Sequence, residues 1–212
     1  LYEVTRKLWT GILNDRITRV WEETRILHPS QYGYRPNLGT ESEIIQLLNV
    51  IGDAAETNKP FFLMAFDTKK AFDSVNKSLM KAAWIRLGIP EDIVEYLMAL
   101  DKDGQTTVKT PHANAVYHQL GAQHILSKHT DADNAASFVA RDGIGQGDST
   151  SATAWLALYD ILLCMMDHNP EVPYHFRRDQ QNTDKCYTFV YADDLNTISP
   201  SIEHLQFTID LV

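Results

Sequence analysis

The stretch YADDLNTIS, residues 191–199, decides the fold. Strand-forming residues flank two adjacent aspartates, so residues 186–191 and 195–199 read as the arms of a hairpin, with Ala192-Asp193-Asp194 as its turn. Asp193 and Asp194 repel each other, and neither has a basic neighbour in sequence. Crowded carboxylates need compensation. A divalent cation between them would provide it, and magnesium in particular takes carboxylate oxygens together with substrate phosphates and water.

A third acid follows the run FFLMAF, residues 61–66, bounded by Pro60 and Asp67. A continuous apolar run of this length predicts a strand buried on both faces. Asp67 then sits at its carboxyl end, where ligand sites of α/β sheets commonly form. If the strand pairs beside the hairpin, Asp67 meets Asp193 and Asp194. Three carboxylates holding two cations about 4 Å apart suit in-line phosphoryl transfer. From the Asp-Asp pair alone, a metal-free Asp-rich turn is the commoner arrangement, so the neighbouring motifs must decide.

The rest of the chain alternates helical and strand patterns. Val4, Leu8, Ile12 with Trp9, Leu13, Ile17, Val20 recur at helical spacing and predict a helix over 2–26. HPSQYGYRPNLGT, residues 28–40, is a Pro- and Gly-rich loop. Thr40 with Glu43 forms a capping box for the next helix, whose predicted buried stripe is Ile44, Leu47, Leu48, Ile51 and Ala55. Ser78 opens a helix that Gly88 ends, and Pro90 starts another. Residues 105–110 and 137–141 read as short strands, with 111–136 between them polar and irregular. His112, His118, His124 and His129 lie there, off the spacing that stacks ligands on a helix face, and read as solvated. Residues 150–166 form a helix with Trp155, Leu158, Tyr159 and Leu162 on one face, and Ser201 opens the last one.

Composition narrows the class. Hydrophobic residues make up 44% of 212, enough for a core, and no run of about 18 apolar residues suggests a membrane span. The net charge of -9 argues against a free-standing nucleic-acid binder. The charge is uneven: residues 1–100 carry 12 basic and 13 acidic side chains, residues 151–212 carry 3 and 9, which leaves carboxylates available for cations. Cys164 and Cys186 fit neither a disulfide framework nor a zinc site, so an intracellular, reducing compartment is expected. The sequence opens at Leu1 in mid-pattern, as a piece of a longer protein would.

Four motifs in order carry a family resemblance: QYGYRPNLGTES (31–42), FFLMAFDTKKAFDSV (61–75), GIGQGD (143–148) and YADD (191–194). Together they resemble the fingers and palm of reverse transcriptases, most closely the non-LTR retrotransposon (LINE-type) enzymes, with group II intron enzymes as relatives. The resemblance implies an α/β (α+β) fold, a polymerase palm with a small antiparallel sheet packed on helices, plus helical fingers, with the thumb absent. Residues 1–60 would be the fingers segment and 61–212 the palm segment, with 111–136 as a loop insertion.

The resemblance also implies the chemistry. The function expected is that of an RNA-directed DNA polymerase domain of a retroelement, joining a dNTP to a primer 3′-hydroxyl. Asp67, Asp193 and Asp194 would be the catalytic acids and metal ligands, with Asp67 and Asp193 principal and Asp194 supporting. Two Mg²⁺ ions would serve, with Mn²⁺ able to substitute. Phe72, five residues after Asp67, would form a floor under the sugar that leaves no room for a 2′-hydroxyl. Gln146 and Gly147 would pack against the incoming nucleotide, and Arg35 would grip its triphosphate. Lys69 and Lys70 read as a solvated pair. The implied partners are an RNA template, a DNA primer and a dNTP, with no membrane. Ser149-Thr150-Ser151-Ala152 stands where relatives have Pro-Leu-Ser-Pro, which predicts a less rigid entry to the helix that follows. Two rival readings share the palm: an RNA-dependent RNA polymerase, disfavoured by Phe72 and Tyr191, and a catalytically degenerate scaffold, disfavoured by the presence of all three acids.

Overall fold

The computed structural model describes residues 4–102, 105–109, 114–120, 123–128, 137–139, 143–144, 148–167, 174–177, 183–186 and 188–211. The elements in order are α1 (Val4–Thr24), α2 (Thr40–Thr57), β1 (Phe62–Asp67), α3 (Lys77–Arg86), α4 (Glu91–Lys102), β2 (Gln105–Lys109), β3 (Asn114–Leu120), β4 (Gln123–Lys128), β5 (Ser137–Val139), α5 (Thr150–Asp167), β6 (Tyr174–Arg177), β7 (Thr183–Cys186), β8 (Thr188–Tyr191), β9 (Asp194–Ser199) and α6 (Ile202–Leu211).

Three strands in the order β1-β9-β8, all antiparallel, form the central sheet. Alternation along these strands sends side chains to two cores. Val190 and Leu195 face one core with Trp21, Met80, Trp84, Val94, Trp155 and Leu163. Phe189 and Ile198 face the other with Val50 and Ala54 of α2 and with Tyr174. Each core draws residues from both sides of position 60, so α1 and α2 pack as parts of the same body as the sheet. Helix α5 is the pillar: Ala154, Trp155, Leu156, Ala157 and Leu163 are all buried.

Several local expectations need correction. Strand β1 is an edge strand, not one buried on both faces; Leu63, Ala65 and Asp67 are exposed on alternate positions. Helix α2 begins at Thr40 with Gly39 at the cap, which has no side chain to cap with, and the Glu43 carboxylate accepts from Asn196 rather than reaching back to the helix start. Its buried residues are Glu43, Val50, Asp53 and Ala54, while Ile44, Leu48, Ile51 and Ala55 are exposed. Asn76 rather than Ser78 caps α3, accepting from Ser78 N and Leu79 N. Gly88 does end α3: it has φ +80°, its N–H donates to Ile85 O, and Ile89 N–H donates to Trp84 O, a Schellman closure.

The stretch 111–136 is not irregular throughout. Strands β3 and β4 lie inside it, paired antiparallel with Leu120 opposite Gln123, so a two-residue connection joins them. They extend a second sheet, ordered β4-β3-β2-β5. His118 and His124 fall in this hairpin, opposite Ile125 and Gln119; His112 and His129 lie outside the described residues. Among the described residues no helix is long and apolar enough to cross a membrane.

Candidate active site

The site forms where β1 ends and the β8–β9 hairpin turns. Asp67, the last residue of β1, lies directly opposite Asp194, the first residue of β9. Residues so paired in an antiparallel ladder have Cβ atoms about 4.5–5.5 Å apart. Asp194 in turn pairs with Tyr191, leaving Ala192 and Asp193 as the two-residue tip. The turn is thus one residue shorter than expected, with Asp194 inside the strand.

Ala192 adopts φ +59°. A two-residue hairpin favours Gly at such a position, because a Cβ there costs about 1–2 kcal/mol. Four hydrogen bonds to the backbone of the tip offset that strain, at about 1 kcal/mol net for each neutral bond. Ala192 N–H donates to Gln31 Oε1 at 3.2 Å. Ala192 O accepts from Gln31 Nε2 at 3.3 Å and from Trp155 Nε1 at 2.8 Å. Asp193 O accepts from the Tyr159 hydroxyl at 3.0 Å, and that hydroxyl accepts in turn from Thr68 Oγ1 at 2.7 Å.

Gln31 reaches the tip because its own segment docks on β8. Val190 N–H donates to Ser30 O, Tyr32 N–H donates to Val190 O, and Gln31 forms a parallel bridge to Val190. The approach is close enough to require glycine at position 33, where a Cβ would lie 2.1 Å from Ala192 N. The QYGYRP motif is therefore bonded to the hairpin that carries Asp193.

The electrostatics mark the same place. Burial pushes the Tyr159 hydroxyl above its ordinary pKa; the bond to Thr68 opposes this, and the charges of Asp193, Asp194 and Asp67 raise it further. All three acids thus act on one hydroxyl, which stays protonated at neutral pH and able to donate to Asp193 O. Burial likewise raises Tyr34, followed by Asp193 and Tyr191. Burial raises the Glu43 carboxyl; its bond to Asn196 lowers it, and the Asp194 charge adds to the rise.

Phe72 is half-buried and stacks on Trp155, with centroids 5.6 Å apart and planes at 29°. Trp155 continues onto Tyr159 at 5.0 Å. The turn bearing Phe72 is strapped down by Gly143 N–H to Val75 O and Ile144 N–H to Phe72 O, both 2.8 Å. Gly143 has φ +89°, and a Cβ there would sit 3.1 Å from Phe72 O. Gln146 and Gly147 lie outside the described residues. Lys69 and Lys70 are exposed, as expected.

Arg35 does not face this site as expected. Its Nε and Nη2 donate to the two carboxylate oxygens of Glu22 at 2.7 and 2.8 Å, and its Nη1 donates to His28 O and Gln31 O. With its side chain only 11% exposed, it pins the loop that carries Gln31 and offers no open fork to a triphosphate. The entry to α5 is also firmer than the missing prolines suggested. Asp148 Oδ1 accepts from Thr150 N and Oγ1, while Oδ2 accepts from Arg6 Nε and Nη2.

Hard carboxylate oxygens suit Mg²⁺ or Mn²⁺. Among the described residues no three His, Cys, Asp or Glu side chains enclose a cation unaided. The three acids expected to share a pair of cations therefore do not by themselves form a ready cluster. An open site is what Mg²⁺ uses when substrate phosphates complete its shell around one or two carboxylates, and Asp67, Asp193 and Asp194 fit that demand. Sequence reading missed Gln31, Thr68, Trp155 and Tyr159. Gln31 and Thr68 were marked only by lying in the motifs, and Trp155 and Tyr159 only by sharing one face of the predicted helix 150–166.

The family model described as "Reverse transcriptase (RNA-dependent DNA polymerase)" matches residues 1–212; such enzymes generally use divalent metal ions. The chain is 28% identical over 169 residues to the "Retrovirus-related Pol polyprotein from type-1 retrotransposable element R2" of Popillia japonica, covering 80% of this chain and 20% of that protein. It therefore spans about a fifth of that relative's length. Among solved structures, apo telomerase from Candida tropicalis truncated from its C-terminal domain matches with TM-score 0.56 and 14% identity, over 95% of this chain and 36% of that one. Candida tropicalis telomerase in complex with a TWJ fragment of telomeric RNA matches with TM-score 0.57 and 13% identity, over 99% and 30%. At these identities the likeness is one of fold.

Proposed function

The chain belongs to the reverse transcriptase (RNA-dependent DNA polymerase) family, as a domain of the non-LTR retrotransposon kind, and from that premise we propose that it extends a DNA primer on an RNA template. The observation that carries this reading is Asp67 lying opposite Asp194 at the tip that also bears Asp193. In the reaction the primer 3′-oxygen attacks the α-phosphate of a dNTP. Its proton is lost, the new phosphodiester forms, and the bond to pyrophosphate breaks. Asp67 and Asp193 would hold Mg²⁺, or Mn²⁺ in its place, with Asp194 in support, and such ions would lower the pKa of the attacking hydroxyl and neutralise charge on the leaving group.

The chain's own residues position the reactants. Phe72, braced from behind by Trp155, lies under the sugar and excludes a 2′-hydroxyl by bulk. Tyr159, backed by Thr68, holds the Asp193 peptide, so the carboxylate direction is set before substrate arrives, as preorganised catalysis requires. The family resemblance gives Gln146 and Gly147 the role of packing against the incoming nucleotide. The family description, an RNA-dependent DNA polymerase, supports RNA as template here. The reaction belongs inside the cell, where RNA and dNTPs are found.

The test is primer extension on an RNA template by the whole natural protein that carries this domain. The reading expects incorporation by the wild type, a strong preference for dNTP over rNTP, and loss of incorporation in Asp193→Asn. Equal incorporation by wild type and Asp193→Asn refutes it and leaves a palm-fold scaffold. Preference for rNTP points to an RNA polymerase instead.

A further inference from the structure

We infer that Gln31 is a positioning residue for Asp193: its side-chain amide grips both polar groups of Ala192 and so fixes the direction in which the Asp193 carboxylate leaves the hairpin tip. This rests on the reading of Asp193 as a metal-binding acid.

Three observations carry it. The first is the conformation of the tip. Ala192 at φ +59° occupies a region that non-glycine residues seldom enter. Such backbone persists only where its surroundings hold it.

The second is the chemistry of the grip. Gln31 is 2% exposed. Its Oε1 accepts from Ala192 N and Gly33 N, and its Nε2 donates to Ala192 O. An amide is the uncharged side chain that offers an acceptor and a donor side by side. Glutamate would lose the donor and place another negative charge beside Asp193; an aliphatic residue would lose both functions.

The third is the anchoring of Gln31 itself. Its backbone is paired to Val190, its carbonyl accepts from Arg35, and Arg35 is fixed by Glu22. A chain of contacts thus runs from α1 through the loop to the residue before Asp193. Trp155 holds the same carbonyl from the opposite element, so the tip sits between two grips. The partner groups of metal ligands orient those ligands in the same manner.

The experiment uses the full chain and two readouts. Amide hydrogen exchange followed by NMR reports whether Ala192 N–H is held. Mn²⁺ titration followed by EPR, with a dNTP present, reports the half-saturating concentration. In the wild type, Ala192 N–H should exchange as slowly as amides of the core. In Gln31→Met, a variant of similar length without the amide, Ala192 protection should fall at least about tenfold while α5 amides keep theirs, and half-saturation should rise about tenfold, the lower end of the effect of losing a ligand's supporting partner.

Free exchange of Ala192 in the wild type overturns the inference without any variant. Lost Ala192 protection with unchanged half-saturation also overturns it, while leaving Asp193 as a metal ligand. A wild type with no Mn²⁺ site sensitive to Asp193→Asn overturns the functional reading and the inference together.

Discussion

Arg35 and Glu22 form a two-pronged ion pair, Nε to Oε1 at 2.7 Å and Nη2 to Oε2 at 2.8 Å, joining α1 to the loop that ends at α2. The same guanidinium donates to two carbonyls of that loop. Arg35→Ala should therefore cost about 1.5–3 kcal/mol of stability, the range for bonds to charged groups, read by urea denaturation. The KM for dNTP should rise no more than it does in Gln31→Met, because Arg35 reaches the site only through the loop that carries Gln31. A KM raised beyond that, with intact stability, would return Arg35 to the triphosphate.

Phe72 and Trp155 make the second prediction. Phe72→Val opens space beside the sugar, while the main-chain straps from Gly143 and Ile144 remain. The ratio of rNTP to dNTP incorporation should rise about 10- to 200-fold, the discrimination available to a steric pocket. Trp155→Ala removes the support of the ring and the donor to Ala192 O. It should destabilise the fold by about 3–5 kcal/mol, as a large aromatic truncation does, by the same denaturation assay.

Glu43 makes a prediction about pH. Its folded pKa is raised, chiefly by burial, against the ordinary value of 4.5. The folded state thus holds its proton to higher pH than the unfolded chain. The stability this contributes is present in full below pH 4.5 and is lost as pH rises through the folded pKa. Glu43→Gln keeps a partner for Asn196 and has nothing to ionise. Its stability relative to wild type should increase from pH 4 upward and then level off. Denaturation midpoints at a series of pH values check this; a difference that shrinks with rising pH would contradict it.

Asp148 and Arg6 hold the entry to α5. The Asp148 side chain is 3% exposed, caps Thr150 and receives two bonds from Arg6. Asp148→Ala should cost about 1.5–3 kcal/mol, the range for bonds to a charged group, since it removes two bonds from the Arg6 guanidinium, whose Nη1 still donates to Leu100 O. Asp148→Asn keeps an oxygen for the cap and should cost less. Equal losses in the two variants would show that the charge is immaterial there.

The acids themselves were legible in the sequence, because strand pattern and turn chemistry are local. β1 ends at Asp67, as the apolar run predicted, and the hairpin tip carries Asp193. The residues that hold the tip were not legible. Gln31 lies 161 positions from Ala192, and Trp155 lies 37; no local pattern encodes such a pairing. The buried face of α2 was misread for a different reason. Ile44, Ile45, Leu47, Leu48, Val50 and Ile51 cover most of its circumference, so apolar spacing admits adjacent stripes. The sheet chose the one led by Glu43, whose carboxylate Asn196 satisfies. Arg35 was assigned to phosphate by residue type, and an acidic partner on the preceding helix took it instead.

The pairing of Asp67 with Asp194 is tested most directly by Mn²⁺ binding in the presence of a dNTP, followed by EPR on wild type and Asp67→Ala. Saturable binding in the wild type, with affinity reduced at least about tenfold in Asp67→Ala, is the expected result. Identical titration curves for the two proteins would mean that the carboxylate of residue 67 takes no part in holding the ion, and the proposed active site would be wrong.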